Sequence, residues 1–220
     1  MSRARPAPGG GRLIGLPPER LGAWLDGVAD RHGAFTVRVD GEVVEVTCAD
    51  STTLVLRAPF GWTPGPSPLT TFTVAARAPR RAAVLLVRRG RWAVGVFAGP
   101  DLVVSKVDSR QVQGRTAAGG WSQQRYARRR GHQTDAVVAH AVETAARVVG
   151  PHVDGLDALF VGGDRLLVDD VLADRALTRL APLRRDPFLD VGEPTKAVLL
   201  STPEQFRAVS VHFTEPHERP

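Results

Sequence analysis

The amino-acid sequence predicts an α/β protein, in which a mixed β-sheet with flanking helices follows a small amino-terminal α+β portion. Three β-rich runs precede one long helical pattern, and strand and helix patterns alternate after it. The chain has 220 residues, 43% of them hydrophobic, so it can bury a substantial core. We expect a disordered basic tail over 1–12, a helix and three strands within 13–73, and the larger α/β domain over 74–220.

The amino-terminal tail is rich in Arg, Pro, Ala and Gly and lacks the apolar core of a signal peptide, which predicts disorder. Two prolines then suit the first turn of a helix that ends near Gly33, where glycine favours a left-handed cap. Leu21, Trp24, Leu25 and Val28 recur at helical spacing and give this helix one apolar face.

The rest of the amino-terminal portion is β-rich. Asp40-Gly41 favours a tight turn between strands at 35–39 and 43–47, and a third strand follows at 53–57. Several prolines then interrupt regular structure, which predicts a linker or long loop over 58–71.

The second portion begins with a β-meander and continues as alternating helices and strands. The meander is predicted at 82–88, 91–98 and 101–107. Residues 109–120 lack apolar periodicity and predict a loop, and a helical pattern covers 122–149, its polar first half expected to project from the body. The predicted elements that follow are a strand at 156–161, a helix at 165–176, a strand near 188–191, a helix at 194–201 and a strand at 206–212.

Basic residues are concentrated in one segment of this portion. Residues 109–134 contain six arginines and no Asp or Glu. The whole chain has 29 basic and 23 acidic residues, a formal charge of +6, so removing the six arginines leaves 23 against 23. The charge excess is therefore local, which indicates a surface that binds a polyanion, with RNA as the favoured partner.

The same segment places two glycines and two glutamines where the loop meets the helix. Gly119 and Gly120 permit backbone angles and close approaches that a side chain would block. The amide of Gln123 or Gln124 does not titrate in the useful range, but its carbonyl can orient a water molecule. Backbone N–H groups can meanwhile face a developing oxyanion. The pattern suits hydrolysis by a loop that an RNA-binding helix delivers.

The segment resembles the Gly-Gly-Gln loop and following helix of the eukaryotic and archaeal class I peptide-chain release factors. In that family Gly-Gly-Gln-Ser is followed closely by an Arg, an aromatic residue, Ala and Arg. The matching residues here are Gly119, Gly120, Ser122, Arg125, Tyr126, Ala127 and Arg128. The resemblance covers roughly residues 74–212.

One position departs from the family pattern. Trp121 stands where the release-factor glutamine is expected, and the glutamines follow as Gln123 and Gln124. This shifted position of the glutamine resembles the pattern in the divergent release-factor-like peptidyl-tRNA hydrolases of ribosome-associated quality control. Within that group, the sequence resembles the actinobacterial branch most.

The resemblance implies hydrolysis of the ester between a nascent chain and its tRNA on stalled or split ribosomes. Gln123, or alternatively Gln124, would orient the water, with Gly119 and Gly120 shaping the loop. The partners would be the large ribosomal subunit and peptidyl-tRNA, and no metal or organic cofactor would be needed. We expect the protein to be a cytoplasmic monomer. The residues expected to contact RNA are Arg115, Trp121, Arg125, Arg128, Arg129 and Arg130.

Two other functions fit the same segment. A non-catalytic ribosome- or RNA-binding adaptor would keep the arginines and lose the hydrolytic glutamine. An endonuclease would cut the tRNA acceptor end instead of the ester.

Other site classes find little support in the sequence. Cys48 is the single cysteine and lies in an alternating run, so we expect a buried strand residue. Asp164, with Asp169 and Asp170 beyond it, predicts a helix cap rather than a metal site. No apolar stretch approaches the roughly 20 residues that a membrane helix needs.

Overall fold

The structure, a computed structural model, describes residues 4–109 and 123–216, and within 123–135 it describes the backbone alone. The chain divides into two compact units, Met1–Pro79 with Pro203–Pro220 and Arg80–Thr202. The described residues form ten strands and six α-helices. The strands are β1 Arg5–Pro6, β2 Arg12–Leu16, β3 Phe35–Asp40, β4 Val43–Cys48, β5 Thr53–Arg57, β6 Arg81–Arg88, β7 Arg91–Ala98, β8 Asp101–Ser109, β9 Ala158–Gly163 and β10 Val209–Thr214. The helices are α1 Leu21–His32, α2 Pro68–Arg77, α3 Gln123–Val149, α4 Arg165–Leu172, α5 Lys196–Ser201 and α6 Pro203–Phe206.

The first unit is a six-stranded antiparallel sheet in the order β1-β2-β10-β5-β4-β3. Alternate residues of its inner strands are buried, as in β4, where Val44, Val46 and Cys48 are buried. Helix α1 packs Leu21, Leu25 and Val28 into the same core, which confirms the predicted apolar face. It ends at His32 and is capped by Gly33, whose φ of 80° only glycine adopts readily.

Helix α2 lies in part where the sequence predicts a linker over 58–71. The prediction was wrong from residue 68 on, because Pro68 occupies the first turn of a helix, a place where proline is well tolerated. Phe72 is fully buried and meets the Trp62 ring edge-on, with centroids 5.3 Å apart. Burial of that aromatic side chain stabilises the helix after a proline-rich approach.

The predicted tail over 1–12 contains ordered structure from β1 onward. Arg5 pairs with Leu13, and the chain reverses through Gly9, Gly10 and Gly11, all at positive φ. Three successive glycines provide this reversal because a Cβ is strained in the left-handed region. Disorder was therefore the wrong expectation for the described part of the tail.

Strand β10 belongs to the first sheet, whereas the sequence places a strand at 206–212 in the domain over 74–220. Val209, Val211 and Phe213 alternate toward the first core, between β2 and β5. The two units accordingly divide the chain differently from the predicted boundaries, since residues from Pro203 onward join the first unit.

The second unit is a four-stranded mixed sheet in the order β8-β7-β6-β9, with β6 and β9 parallel. The predicted meander is confirmed by the antiparallel pairs β6–β7 and β7–β8. Helices α3 and α4 cover one face, where they share a core with the strands. Helix α5 lies on the other face, where a Cβ on Gly95 would come 3.1 Å from Leu199. The mixed α/β fold predicted from the sequence is confirmed.

Two later elements of the second unit are shorter than predicted. Helix α4 ends at Leu172, and a separate 3-10 turn follows at Arg175–Leu177. The strand expected near 188–191 is one bridge between Leu189 and Gly162. None of the described helices combines the length and apolar character needed to cross a bilayer.

Candidate functional site

Three strands of the second sheet end at one edge. Strand β7 is antiparallel to β6 and β8, and β9 is parallel to β6, so β6, β8 and β9 finish together at Arg88, Ser109 and Gly163. Three residues on adjacent strands form one register row here, because Arg91 of β7 pairs with Ser109 of β8 on one side and with Arg88 of β6 on the other. Neighbouring strands lie about 4.8 Å apart, so Ser109 is roughly 10 Å across the sheet from Arg88. Residues 110–122 connect this edge to the first residue of α3.

The end of β8 is fixed by Asp108. Its Oδ1 accepts the N–H of Ser109 at 2.9 Å, and its Oδ2 lies 3.4 Å from Nζ of Lys106. The Ser109 N–H, together with the charges of Lys106 and His140, lowers the pKa of Asp108. The carboxylate therefore stays ionised where the chain leaves the sheet.

Helix α3 is anchored to the same end of β7 through Trp92. The indole Nε1–H donates to Oγ1 of Thr144 at 3.0 Å, in a contact where both residues are buried. The Thr144 hydroxyl donates in turn to the carbonyl of His140 at 2.8 Å. The His140 ring stacks on Trp92 with centroids 6.0 Å apart and planes 4° apart. This network fixes the axial position and rotation of α3 over the sheet.

Apolar packing holds the carboxyl-terminal half of α3. Val137, Ala141, Ala145 and Val149 recur every four residues and are buried in the core of the second unit. The chain segments on either side of 110–122 are thus both tied to one sheet.

The predicted site residues fall in two groups. Arg115, Gly119, Gly120 and Trp121 lie outside the described residues. The helix predicted over 122–149 is confirmed as α3 from Gln123, so the second group belongs to its first turns. The side chains of that group, and the predicted projection of the first half of the helix, lie outside the described residues. Its members are Gln123, Gln124, Arg125, Arg128, Arg129 and Arg130.

A second feature, at the end of the sheet where β6, β8 and β9 finish, was not predicted from the sequence. An open groove there is lined by three arginines from two segments far apart in the chain, and we call it the arginine groove. The lining residues are Arg88, Arg89, Gly163, Asp164, Arg165 and Glu193. Parallel pairing of β6 with β9 brings these segments together, and the available signal was an arginine after each of two strands.

Gly163 and Asp164 contribute to the lining of the arginine groove. The carboxylate of Asp164 caps α4, since its Oδ1 accepts the N–H groups of Leu166 and Leu167 at 3.1 and 3.4 Å. The predicted capping role is confirmed. Asp169 is used differently, in an ion pair with Arg184 at 2.6 Å.

Metal ligation and thiol chemistry find no support in the described residues. In that part of the chain no group of three or more His, Cys, Asp and Glu is placed to hold a metal ion. Cys48 is buried in β4, as predicted, and burial, with the nearby Asp50 charge, raises the pKa of its thiol. A buried thiol with a raised pKa is a poor nucleophile.

Comparison with known families gives a match over the whole of the second unit and beyond it. The model of the family described as "Actinobacteria/chloroflexi VLRF1 release factor" matches residues 80–212. The chain belongs to this VLRF1 release factor family. The match confirms the resemblance carried by the Gly-Gly segment, and it includes the whole of residues 109–134. Release factors act in translation.

Other comparisons add little to the VLRF1 assignment. No curated protein matches the chain. A solved structure described as "Archaeal protein" matches with a TM-score of 0.33 and 16% identity over 73% of this chain. The chain spans about half of that structure's length, 52%.

Proposed function

We propose that this VLRF1 protein is a peptidyl-tRNA hydrolase, a cytoplasmic monomer that releases nascent chains from tRNA on stalled or split ribosomes. The observation that carries the proposal is the family match over 80–212, which includes the acid-free segment 109–134 with its six arginines and the pairs Gly119-Gly120 and Gln123-Gln124. A release factor with such a segment has both parts of a ribosomal hydrolase, an uncharged water-binding amide and a polyanion-binding surface.

The proposed chemistry is attack of water on the ester carbonyl that joins the peptide to the terminal ribose of tRNA. The carbonyl oxygen of the Gln123 amide accepts a hydrogen bond from that water and orients it, with Gln124 as the alternative. Backbone N–H groups near Gly119 and Gly120 stabilise the oxyanion that forms. The ester C–O bond then breaks, leaving a free peptide carboxylate and a ribose hydroxyl on intact tRNA.

The proposed RNA contacts lie on both sides of the glutamines. Arg115, Arg125, Arg128, Arg129 and Arg130 bind phosphates of tRNA or ribosomal RNA, and Trp121 stacks on a nucleotide or anchors the loop. Loss of one such arginine should reduce the slope of log affinity against log salt by about one.

The described scaffold supports this proposal from both ends of the loop. Asp108 fixes the chain where it leaves β8, and the Trp92–Thr144 contact fixes α3 on the sheet. A catalytic loop benefits from such support, because misplacement by about 1 Å can reduce a rate about a hundredfold.

Trp121 favours a second candidate function. It occupies the position of the release-factor glutamine, as expected for an adaptor that binds the ribosome without hydrolysing the ester. The adaptor would keep the family's ribosome association and its arginines.

The deciding experiment is release of nascent chain from purified complexes of the large ribosomal subunit with peptidyl-tRNA. We expect wild type to release peptide and leave the tRNA full length. Gln123→Ala should abolish release with binding preserved, whereas Gln133→Ala, the same change further along α3, should leave release unchanged. Loss of release in Gln124→Ala instead would assign the water to Gln124.

The other outcomes reject the hydrolase. Tight binding by wild type without release would establish the adaptor. A shortened tRNA, with the peptide still esterified to the short 3′ fragment that the cut releases, would establish an endonuclease at the acceptor end.

A further inference from the structure

The arginine groove has a surplus of positive charge that the proposed hydrolytic loop does not use. Its arginines are Arg88, Arg89 and Arg165, and its carboxylates are Asp164 and Glu193. Asp164 caps α4 through two N–H groups, and Glu193 pairs with Arg91 at 3.2 Å, outside the lining. Both carboxylates are therefore engaged elsewhere, and among the described residues the three lining arginines form no ion pair.

Two of the groove's guanidinium groups are held in place by contacts that keep their charge available. Nη2 of Arg88 donates to the backbone carbonyl of Val191 at 2.8 Å. The guanidinium of Arg165 lies over the ring of Phe188, with Cζ 4.0 Å from the centroid. Neither a neutral carbonyl nor an aromatic face neutralises the cation, and both restrict its rotamers. Less side-chain entropy is then lost when an anion binds.

The groove also lies at the edge where the candidate catalytic loop departs. Arg88 is in the register row that ends at Ser109, roughly 10 Å away across two strand spacings. A polyanion of nucleic-acid size that meets the loop can therefore reach the groove as well. A planar guanidinium with several donors suits phosphate oxygens, which accept bidentate hydrogen bonds.

We propose that the arginine groove binds backbone phosphates of tRNA and orients the tRNA with respect to the loop. The choice of tRNA as the polyanion rests on the proposed hydrolase function, whereas phosphate binding rests on the groove alone. Arg89 makes the cleanest test, because among the described residues its side chain forms no hydrogen bond or ion pair. Arg88 is unsuitable, since its bond to Val191 also supports the fold.

The first experiment measures binding of the full chain to fluorescently labelled deacylated tRNA at several KCl concentrations. We expect Arg89→Ala to weaken binding about tenfold and to reduce the salt slope by about one. Arg38→Ala is the matched control, because Arg38 is an exposed arginine of the other unit, paired with Glu45 at 3.5 Å. If the two variants give the same affinity and slope, net charge alone explains the effect and the groove is not a tRNA site.

The second experiment reverses the direction of the effect, so misfolding cannot imitate it. Glu193→Gln removes a carboxylate from the groove and frees Arg91, and we expect tRNA affinity to rise severalfold. Glu45→Gln, the same change beside Arg38, should leave affinity unchanged. Unchanged affinity in Glu193→Gln would overturn the proposal.

Failure of the groove and failure of the proposed function give different results. If wild type releases no peptide but Arg89→Ala binds tRNA more weakly than wild type, the hydrolase proposal is rejected and the tRNA site in the groove is supported. Normal release, with tRNA binding and salt slope unchanged in both groove variants, rejects the groove and keeps the hydrolase.

Discussion

Replacement of Gly163 with alanine perturbs the strand-end edge with a single carbon atom. Gly163 is the last residue of β9, pairs with Val87 of β6 and has a φ of 103°. A Cβ placed there would lie 2.2 Å from the carbonyl oxygen of Val87 and 2.9 Å from its carbonyl carbon. Both are backbone atoms of a buried strand, so the contact cannot be relieved by a change of rotamer.

The cost of Gly163→Ala combines backbone strain with a lost hydrogen bond. A non-glycine residue in this region of φ costs about 1–3 kcal/mol. Moving β9 away from β6 also breaks the bond from the Asp164 N–H to the Val87 carbonyl, now 2.8 Å long and worth about 1 kcal/mol. We therefore expect the second unit to lose about 2–4 kcal/mol of unfolding free energy, a large part of the 5–15 kcal/mol typical of a domain.

Hydrogen exchange measured by mass spectrometry on the intact chain follows the two units separately. Peptides from β6 and β9 should lose protection in Gly163→Ala, while peptides from β4 and β5 should not. The matched control is Gly155→Ala, because a Cβ at Gly155 meets nothing within 4 Å and its φ is not positive. Equal protection of β6 and β9 in both variants would refute the steric argument.

Three further predictions concern single contacts. Thr144→Val leaves the buried N–H of Trp92 without its acceptor and should lower the free energy of unfolding, measured in urea, by about 1–3 kcal/mol. The same change should cost less when Trp92→Phe is already present, and additive costs of the two changes would contradict the predicted contact. The ring of His32 and the N–H of Thr52 lower the pKa of Asp50 from 3.8 to about 2. The stabilisation from Asp50 should be complete above about pH 4 and lost as the pH falls toward 2. Asp50→Asn should therefore make the melting temperature depend less on pH over that range. A pH dependence equal to that of wild type would contradict the role given to Asp50. Cys48 should react with Ellman's reagent about a hundredfold slower in the folded protein than in denaturant, because it is buried and its pKa is raised; equal rates would show that the thiol is accessible.

Local patterns predicted most of the individual elements. Leu21, Leu25 and Val28 specify α1 by spacing alone, and Asp40-Gly41 specifies the hairpin by turn chemistry. The cap formed by Asp164 was predictable for the same reason, since a capping side chain bonds to backbone two or three residues away.

Features that depend on distant pairing were not predictable in this way. An alternating strand such as β10 does not encode which sheet it joins, and its partners β2 and β5 are distant in sequence. Helix α2 was missed because Pro68 was taken to interrupt structure, whereas the burial of Phe72 stabilises a helix there. The arginine groove depends on the parallel β6–β9 pair, which no local pattern specifies.

The candidate site was identified by a different kind of signal. Gly119, Gly120, Gln123 and Gln124 were proposed as a site from their order and from the missing carboxylates, and their roles stay predictions. Which glutamine holds the water depends on the conformation of the loop, so the choice of Gln123 stays a prediction.

The place of β10 in the first sheet sets an order of assembly during synthesis. The ribosome makes β2 to β5, then all of Arg80–Thr202, before the strand that joins β2 to β5 exists. The second unit is one uninterrupted segment and can fold as soon as it emerges. The sheet of the first unit stays incomplete until β10, up to Thr214, has left the ribosome. If synthesis of this protein, itself proposed to rescue stalled ribosomes, stalls before that point, its first sheet is left without the strand between β2 and β5.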